Sequence, residues 1–138
     1  MVKIKKHKEK SRLIICQGDS ILLLQKHGAK LKYTIVGGGL EKGENPEEAV
    51  IRETQEEIGV TFTLSELEYT CSVTSEIRSK NVYKHYFLSQ AVTKPFVLSE
   101  PEKFKKLEWV HWERSLKYLD KSDKKVVKQL FTPCRVNF

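Results

Sequence analysis

No apolar run in this chain approaches the ~18 residues that a membrane-spanning helix requires, so a transmembrane segment is not expected. The basic start, MVKIKKHKEKSR, is followed only by the short apolar stretch LIIC and not by the core of a signal peptide, so a cytoplasmic location is expected. Cysteine is scarce: Cys16, Cys71 and Cys134 are three in number, widely spaced, and form no CxxC or Cys/His cluster. That argues against a structural zinc or a disulfide framework and leaves Cys16 and Cys71, in apolar surroundings, as packing thiols. Repeats, low-complexity tracts and linkers are also missing. Residues 1–138 therefore read as one domain, long enough for its own core, with residues 1–10 as a basic N-terminal segment.

Acid is in the minority. Twenty-five Lys and Arg face 18 Asp and Glu, for a formal charge of +7, which suits an anionic partner such as a nucleotide, a polyphosphate or a nucleic acid. Lysines gather near both ends, at Lys3 to Arg12 and at Lys117 to Lys128, where a solvated surface is the plainer reading.

The local patterns define a mixed α/β order. RLIICQ and ILLLQK flank Gly18-Asp19-Ser20 as a β-hairpin, and LKYTIV, Leu31 to Val36, makes a third strand that three glycines should stop. Asn45 as cap, Pro46 in the first turn, Glu48 at the capping-box position and Gly59 as terminator predict a helix over Pro46 to Ile58. Strands follow at Glu66 to Ser75, Val82 to Gln90 and Leu107 to Trp112. The tail to Phe131 reads as one or two helices burying Leu116, Leu119, Val126, Val127 and Leu130, with Ser122 as a cap.

Against the basic background, the minority acid is concentrated. Six glutamates lie between Glu41 and Glu56 and a seventh is Glu57. At 100° per residue, Arg52, Glu53, Glu56 and Glu57 fall on one side of the helix with Ala49, and Val50, Ile51, Thr54 and Ile58 fall on the other. One face would pack on a sheet while the other shows three carboxylates and an arginine to the outside. Like charges at three- and four-residue spacing repel, and Arg52 relieves only part of this through Glu56. Stability does not account for the choice; a divalent cation does. Mg²⁺ takes hard oxygen ligands and sits between protein carboxylates and substrate phosphates.

Gly38, Glu44, Arg52, Glu53, Glu56, Glu57 and Gly59 match the Nudix box, G-x5-E-x7-R-E-U-x-E-E-x-G-U with U bulky and apolar. Val60 fills the last U, Thr54 departs mildly from the first, and Val36 stands where many members have proline. The chain thus resembles the Nudix hydrolases. The resemblance implies an α/β/α sandwich with a mixed sheet and a hydrolase acting on phosphorus-containing anhydrides, namely a nucleoside diphosphate linked to another group, X. It also implies a requirement for Mg²⁺ or Mn²⁺. By matching position, Glu56 and Glu57 would be the principal metal ligands, and Glu53 a third ligand or the base that orients water. A carbonyl of Gly37 or Gly38 would complete the shell. Arg52 would hold the glutamates in register, while Glu44 would brace the loop and assist through a bound water. Some members take their base from a loop before a tryptophan-bearing strand, which points to Glu100 or Glu102 ahead of Trp109. Family members are often homodimers.

Outside the box, Tyr33, Phe62, Tyr83, Tyr86, Phe87 and Phe104 are candidates for stacking on a base or for plain core, and His27, Lys30 and Lys32 for meeting a phosphate. His85 reads as a packed histidine. The downstream signatures that mark cleavage of NADH, coenzyme A or ADP-ribose are not found, which leaves small nucleotides, including modified nucleoside triphosphates, as the leading substrate class. Two alternatives stand beside it: a nucleotide-sensing regulator with little catalysis, and an RNA 5′-pyrophosphohydrolase suggested by the lysine-rich ends. The intact glutamate set weighs against the first.

Overall fold

A computed structural model describes residues 7–90 and 94–132. The first six residues of the basic segment and Cys134 lie outside them. Strand β1 (His7–Gln17) turns at Gly18-Asp19 into β2 (Ser20–Lys26), as the hairpin signal predicts, with Gln17 opposite Ser20. β3 (Tyr33–Gly39) leads to helix α1 (Pro46–Ile58), and a short 3₁₀ turn at Leu64–Glu66 precedes β4 (Glu68–Ile77) and β5 (Lys80–Gln90). β6 (Phe104–His111) is followed by a single helical turn, α2 (Trp112–Ser115), and by α3 (Lys121–Phe131).

The six strands form one sheet in the order β4-β5-β1-β3-β2-β6. It is mixed, since β1 pairs antiparallel with β3 and parallel with β5 over ten residues. α1 covers one face over Leu13, Ile15, Leu22, Leu24, Val36 and Phe87, and α3 covers the other over Ile14, Ile21, Leu23, Ile35 and Tyr86. The expected α/β/α sandwich is the observed fold. No helix among the described residues is long and apolar enough to cross a membrane.

Two expectations need correction. The glycines do not stop β3: it runs through Gly37, Gly38 and Gly39, which pair with Arg12, Ser11 and Lys10. A Cβ at Gly37, where φ is +139°, would collide with the backbone of Ser11 and Arg12, so glycine is what lets the strand pass this close. α3 is capped by Asp120, whose carboxylate accepts from the Asp123 N–H at 2.9 Å, and not by Ser122. The β4–β5 turn is made by Arg78 and Ser79, both at positive φ, without the asparagine or glycine that usually marks such a turn.

Ser122 instead joins a polar tether between α3 and β5. The Lys84 ammonium, on a residue only 6% exposed, donates to Asp120 at 2.8 Å, to Ser122 at 2.9 Å and to Asp123 at 3.3 Å. The Tyr86 hydroxyl donates to Asp123 at 2.6 Å. Asp123 is buried, so removing it takes one carboxylate from the buried Lys84 ammonium and the nearest acceptor from the buried Tyr86 hydroxyl. Asp123→Ala should cost about 3–5 kcal/mol in urea denaturation, whereas Asp120→Ala, at a half-exposed cap, should cost about 1 kcal/mol.

Candidate functional site

The glutamates gather where β3 passes under α1. Local chemistry fixes the helix as the sequence predicts: Asn45 accepts from the Glu48 N–H at 2.8 Å, Glu48 accepts from the Asn45 N–H at 3.1 Å, and Gly59 ends the helix at φ +68°. The Ser11 hydroxyl donates to the Pro46 carbonyl at 2.8 Å and ties the first turn to β1.

Arg52 organises the acids. Its Nε and Nη2 grip Glu44 at 2.7 and 3.0 Å in a two-pronged pair, Nη2 also donates to the Gly39 carbonyl at 3.0 Å, and Nη1 reaches Glu53 at 3.1 Å and Glu56 at 3.3 Å. Glu44 meanwhile accepts from the Glu41 N–H at 2.7 Å, bracing the loop. Hydrogen bonds from Arg52 and then from Glu41 hold the Glu44 carboxyl below the usual range.

The acidic face is not wholly outward. Glu57 is only 4% exposed, turned against the sheet, and its Oε1 accepts from the Gly37 N–H at 2.8 Å. Burial pushes its proton affinity up to about 8, aided by the like charges of Glu53 and Glu100 and opposed by the Gly37 N–H and Arg12. Glu53 is also raised, chiefly by burial and in part by Glu56, with Arg52 opposing. Gly38 makes the room: a Cβ there would lie 2.5 Å from the Glu53 carboxyl carbon.

Two arginines hold the glycine strand. Arg52 takes the Gly39 carbonyl, and Arg12 Nη1 donates to the carbonyls of Ile35 and Gly37 at 3.0 and 2.9 Å. Sequence reasoning missed Arg12, because it sits in a run of lysines that looks like solvated surface. Its even spacing with Ile14 on β1 was the available signal.

A strap after residue 94 brings in the loop glutamates. The Val97 and Ser99 N–H groups donate to the Ile58 and Glu57 carbonyls, both at 3.0 Å, and so satisfy carbonyls left open at the end of α1. Glu100 thereby lies within electrostatic reach of Glu57 and pairs with Lys103 at 3.1 Å. Glu102 is exposed. Lys103, a second residue that sequence reasoning missed, is raised in proton affinity by Glu100 first and then by Glu53 and Glu57.

Glu53, Glu56 and Glu57, with glycine carbonyls beside them, form an all-oxygen donor set that fits Mg²⁺ or Mn²⁺. The buried Glu57 carboxyl, raised in proton affinity, is what a seat built for a positive charge looks like. Among the described residues no three acidic, imidazole or thiol groups already converge on one point. Arg52 stands between Glu53 and Glu56, and the Gly37 amide holds Glu57, so the carboxylates must turn to share a cation.

Lys30, Lys32 and Tyr33 line a cavity of about 560 Å³ on the α3 face, with Lys26, Lys117 and Tyr118. His27 is not among them; its ring bonds the Pro101 carbonyl at 2.8 Å. Tyr86, Phe62 and Phe87 are core, Phe104 packs against it, and His85 pairs with Glu9 at 3.1 Å.

Two outcomes test this geometry. Gly38→Ala should leave the melting temperature nearly unchanged, because the flexible Glu53 can swing aside, yet weaken Mg²⁺ or Mn²⁺ binding at least tenfold by calorimetry. Gly37→Ala, meeting backbone at positive φ, should lower the melting temperature by several degrees. The second outcome concerns pH. A carboxyl that holds its proton more tightly when folded contributes fully below its unfolded value near 4.5, and that contribution is lost as pH rises through about 8. Metal-free protein should therefore melt at falling temperature across that window, and Glu57→Gln should flatten the slope and stabilise the chain at pH 8.

The NUDIX domain family model matches residues 7–130. The 8-oxo-dGTP diphosphatase of Escherichia coli K12 is 55% identical over 42 residues, a match spanning 28% of this chain and 33% of that protein's length. Nucleoside triphosphatase NudI of the same strain is 28% identical over 124 residues, covering 79% of this chain and 88% of its own. Among solved structures, the E. coli ORF135 protein superposes with a TM-score of 0.76 at 25% identity, over 91% of this chain and 89% of that one. The MutT protein of Methanosarcina mazei Go1 does so at 0.74 and 22% identity, over 93% and 95%. The chain belongs to the Nudix family and is a hydrolase of phosphorus-containing anhydrides.

Proposed function

We propose that this Nudix hydrolase depends on Mg²⁺, with Mn²⁺ as a substitute, and cleaves a pyrophosphate bond in a small nucleotide, a nucleoside diphosphate linked to X such as a plain or modified nucleoside triphosphate. The observation that carries the reading is the buried, proton-hungry Glu57 beside Glu53 and Glu56, held against a glycine strand that leaves no room for side chains. The names of the E. coli relatives, a diphosphatase of an oxidised nucleotide and a nucleoside triphosphatase, support the substrate class.

A divalent cation in this seat would neutralise phosphate oxygens and make a water more acidic. The protein's own residues do the rest. Glu53, Glu56 and Glu57 hold the cation; Arg52 keeps them in register through Glu44. Glu100, delivered by the strap, is placed to take a proton from the attacking water, and Lys103 beside it lends positive charge to a phosphate. The cavity that Lys30, Lys32 and Tyr33 line opens on the opposite, α3 face of the sheet, so a nucleotide seated on α1 does not reach it.

The test is a hydrolysis screen over a nucleotide library with Mg²⁺, Mn²⁺ or chelator, with products identified to show which bond breaks. Cation-dependent release of phosphate or pyrophosphate is expected, and none from any nucleotide would refute the reading in favour of a sensor. On the best substrate, Glu57→Gln should lower kcat by at least a hundredfold. Glu100→Gln should lower it about tenfold to a hundredfold, within the contribution of a general base, and Glu102→Gln less than twofold.

A further inference from the structure

The cavity on the α3 face has no part in the glutamate site, and the helix beside it is charged against its own stability. α3 turns Asp123, Val126 and Val127 inward, while its exposed ionisable side chains are Lys121, Lys124, Lys125 and Lys128, all of one sign. They stand three and four residues apart, where like charges repel. Lys121 opens the helix and Lys124 closes its first turn, the end at which the helix dipole disfavours cations. The acids of this helix and its cap are engaged elsewhere, since Asp120 and Asp123 both pair with Lys84. Among the described residues none of the four lysines pairs with a carboxylate.

The row runs into the cavity. Asp120, the cap of α3, lies in the cavity wall and is its single acid, beside Lys26, Lys30, Lys32 and Lys117. Tyr118 is half-buried there, edge to face with Tyr33 at 5.8 Å between ring centres, and the Lys117 ammonium lies 5.3 Å from the centre of its ring. The volume of about 560 Å³ falls within the range of about 300–1,000 Å³ usual for small-molecule sites, which is room for one nucleoside.

The chemistry of the partner follows from what α3 has already used. Val126 and Val127 are packed in the core with Ile14, Ile21 and Tyr86, so the helix has no apolar side left for a bilayer or a protein groove. What it offers is a row of positive charge that ends at an aromatic-walled cavity. Sites for single-stranded nucleic acid combine those two parts, cations along the backbone and a ring on which a base rests. We propose that the α3 face is a docking surface for single-stranded nucleic acid, with phosphodiesters along Lys121, Lys124, Lys125 and Lys128 and one nucleoside in the cavity beside Tyr118. The sheet separates this face from the glutamates, so the strand is a partner and not the molecule cleaved. The proposal goes beyond the pyrophosphatase reading and does not rest on it.

Fluorescence anisotropy of a labelled twelve-nucleotide oligouridylate with the full chain, in magnesium-free buffer over a salt series, tests it. Four phosphate contacts on a single strand should give a slope of log K against log salt of about −2.8 or steeper. The double variant Lys124→Gln, Lys125→Gln should make that slope shallower by about 1.4. The control pair Lys42→Gln, Lys105→Gln, exposed lysines outside α3 and the cavity, should leave it unchanged. Tyr118→Leu should weaken binding at least fivefold and Tyr118→Phe should not; Lys117→Gln, at the same rim, takes its place should Tyr118→Leu unfold. Glu57→Gln, on the other face, should bind the strand as the unaltered chain does. Absence of binding at the lowest salt overturns the docking surface, as does an equal change of slope from both lysine pairs, which would mean net charge alone. Loss of binding in Glu57→Gln would put the strand on the glutamate face and overturn it too. Polyglutamate or a duplex of equal length that binds as tightly as the single strand would overturn the choice of partner.

Discussion

Everything in the site hangs on how closely β3 runs to its neighbours at Gly37 and Gly38. Without a Cβ at Gly37 the strand can press against the backbone of Ser11, and without one at Gly38 the Glu53 carboxyl can occupy the space a side chain would fill. That approach also aims the Gly37 N–H at Glu57 and the Gly39 carbonyl at Arg52. The result is a carboxylate that is buried, hydrogen-bonded and still short of positive charge, on a helix whose ends are fixed by their own caps. The proton that Glu57 retains, and the cation it could accept in its place, are alternative answers to the same deficit.

Both faces of this strand region concentrate like charge. On the α1 side, Arg52 keeps Glu44, Glu53 and Glu56 from flying apart; on the α3 side, Asp120 and Asp123 settle Lys84 but not Lys10. Neither arrangement is what folding alone would select. Sequences that violate local electrostatic economy in a well-packed setting generally do so where they bind something.

Much of this was legible in the sequence because the signals were local. Asn45, Pro46, Glu48 and Gly59 bounded α1 to the residue, and the four-residue spacing of Arg52 and Glu56 foretold their pairing. What was not legible depended on neighbours far along the chain. A helical wheel treats α1 as isolated, so it turned Glu57 outward, although the helix lies against a glycine strand that accepts a carboxylate on its inner side. Gly37 to Gly39 read as a strand stop because glycine usually is one; only the pairing with β1 reveals that they are needed within the strand. Arg12 looked like one cation among many until the register set it against Gly37. Asp120 and Ser122 are both good caps by composition, and the choice between them was made by Lys84, 36 residues from Asp120.

The strap over the end of α1 is fastened through main-chain atoms, from Val97 and Ser99 to the carbonyls of Ile58 and Glu57. Every residue but proline carries the same N–H, so the exposed side chains of Val97 and Ser99 can be exchanged without unfastening it, while Phe96 and Leu98 pack on the core. The strap is thus a variable segment on an invariant hook: its residues can drift to suit new ligands while the acid at its far end keeps its station.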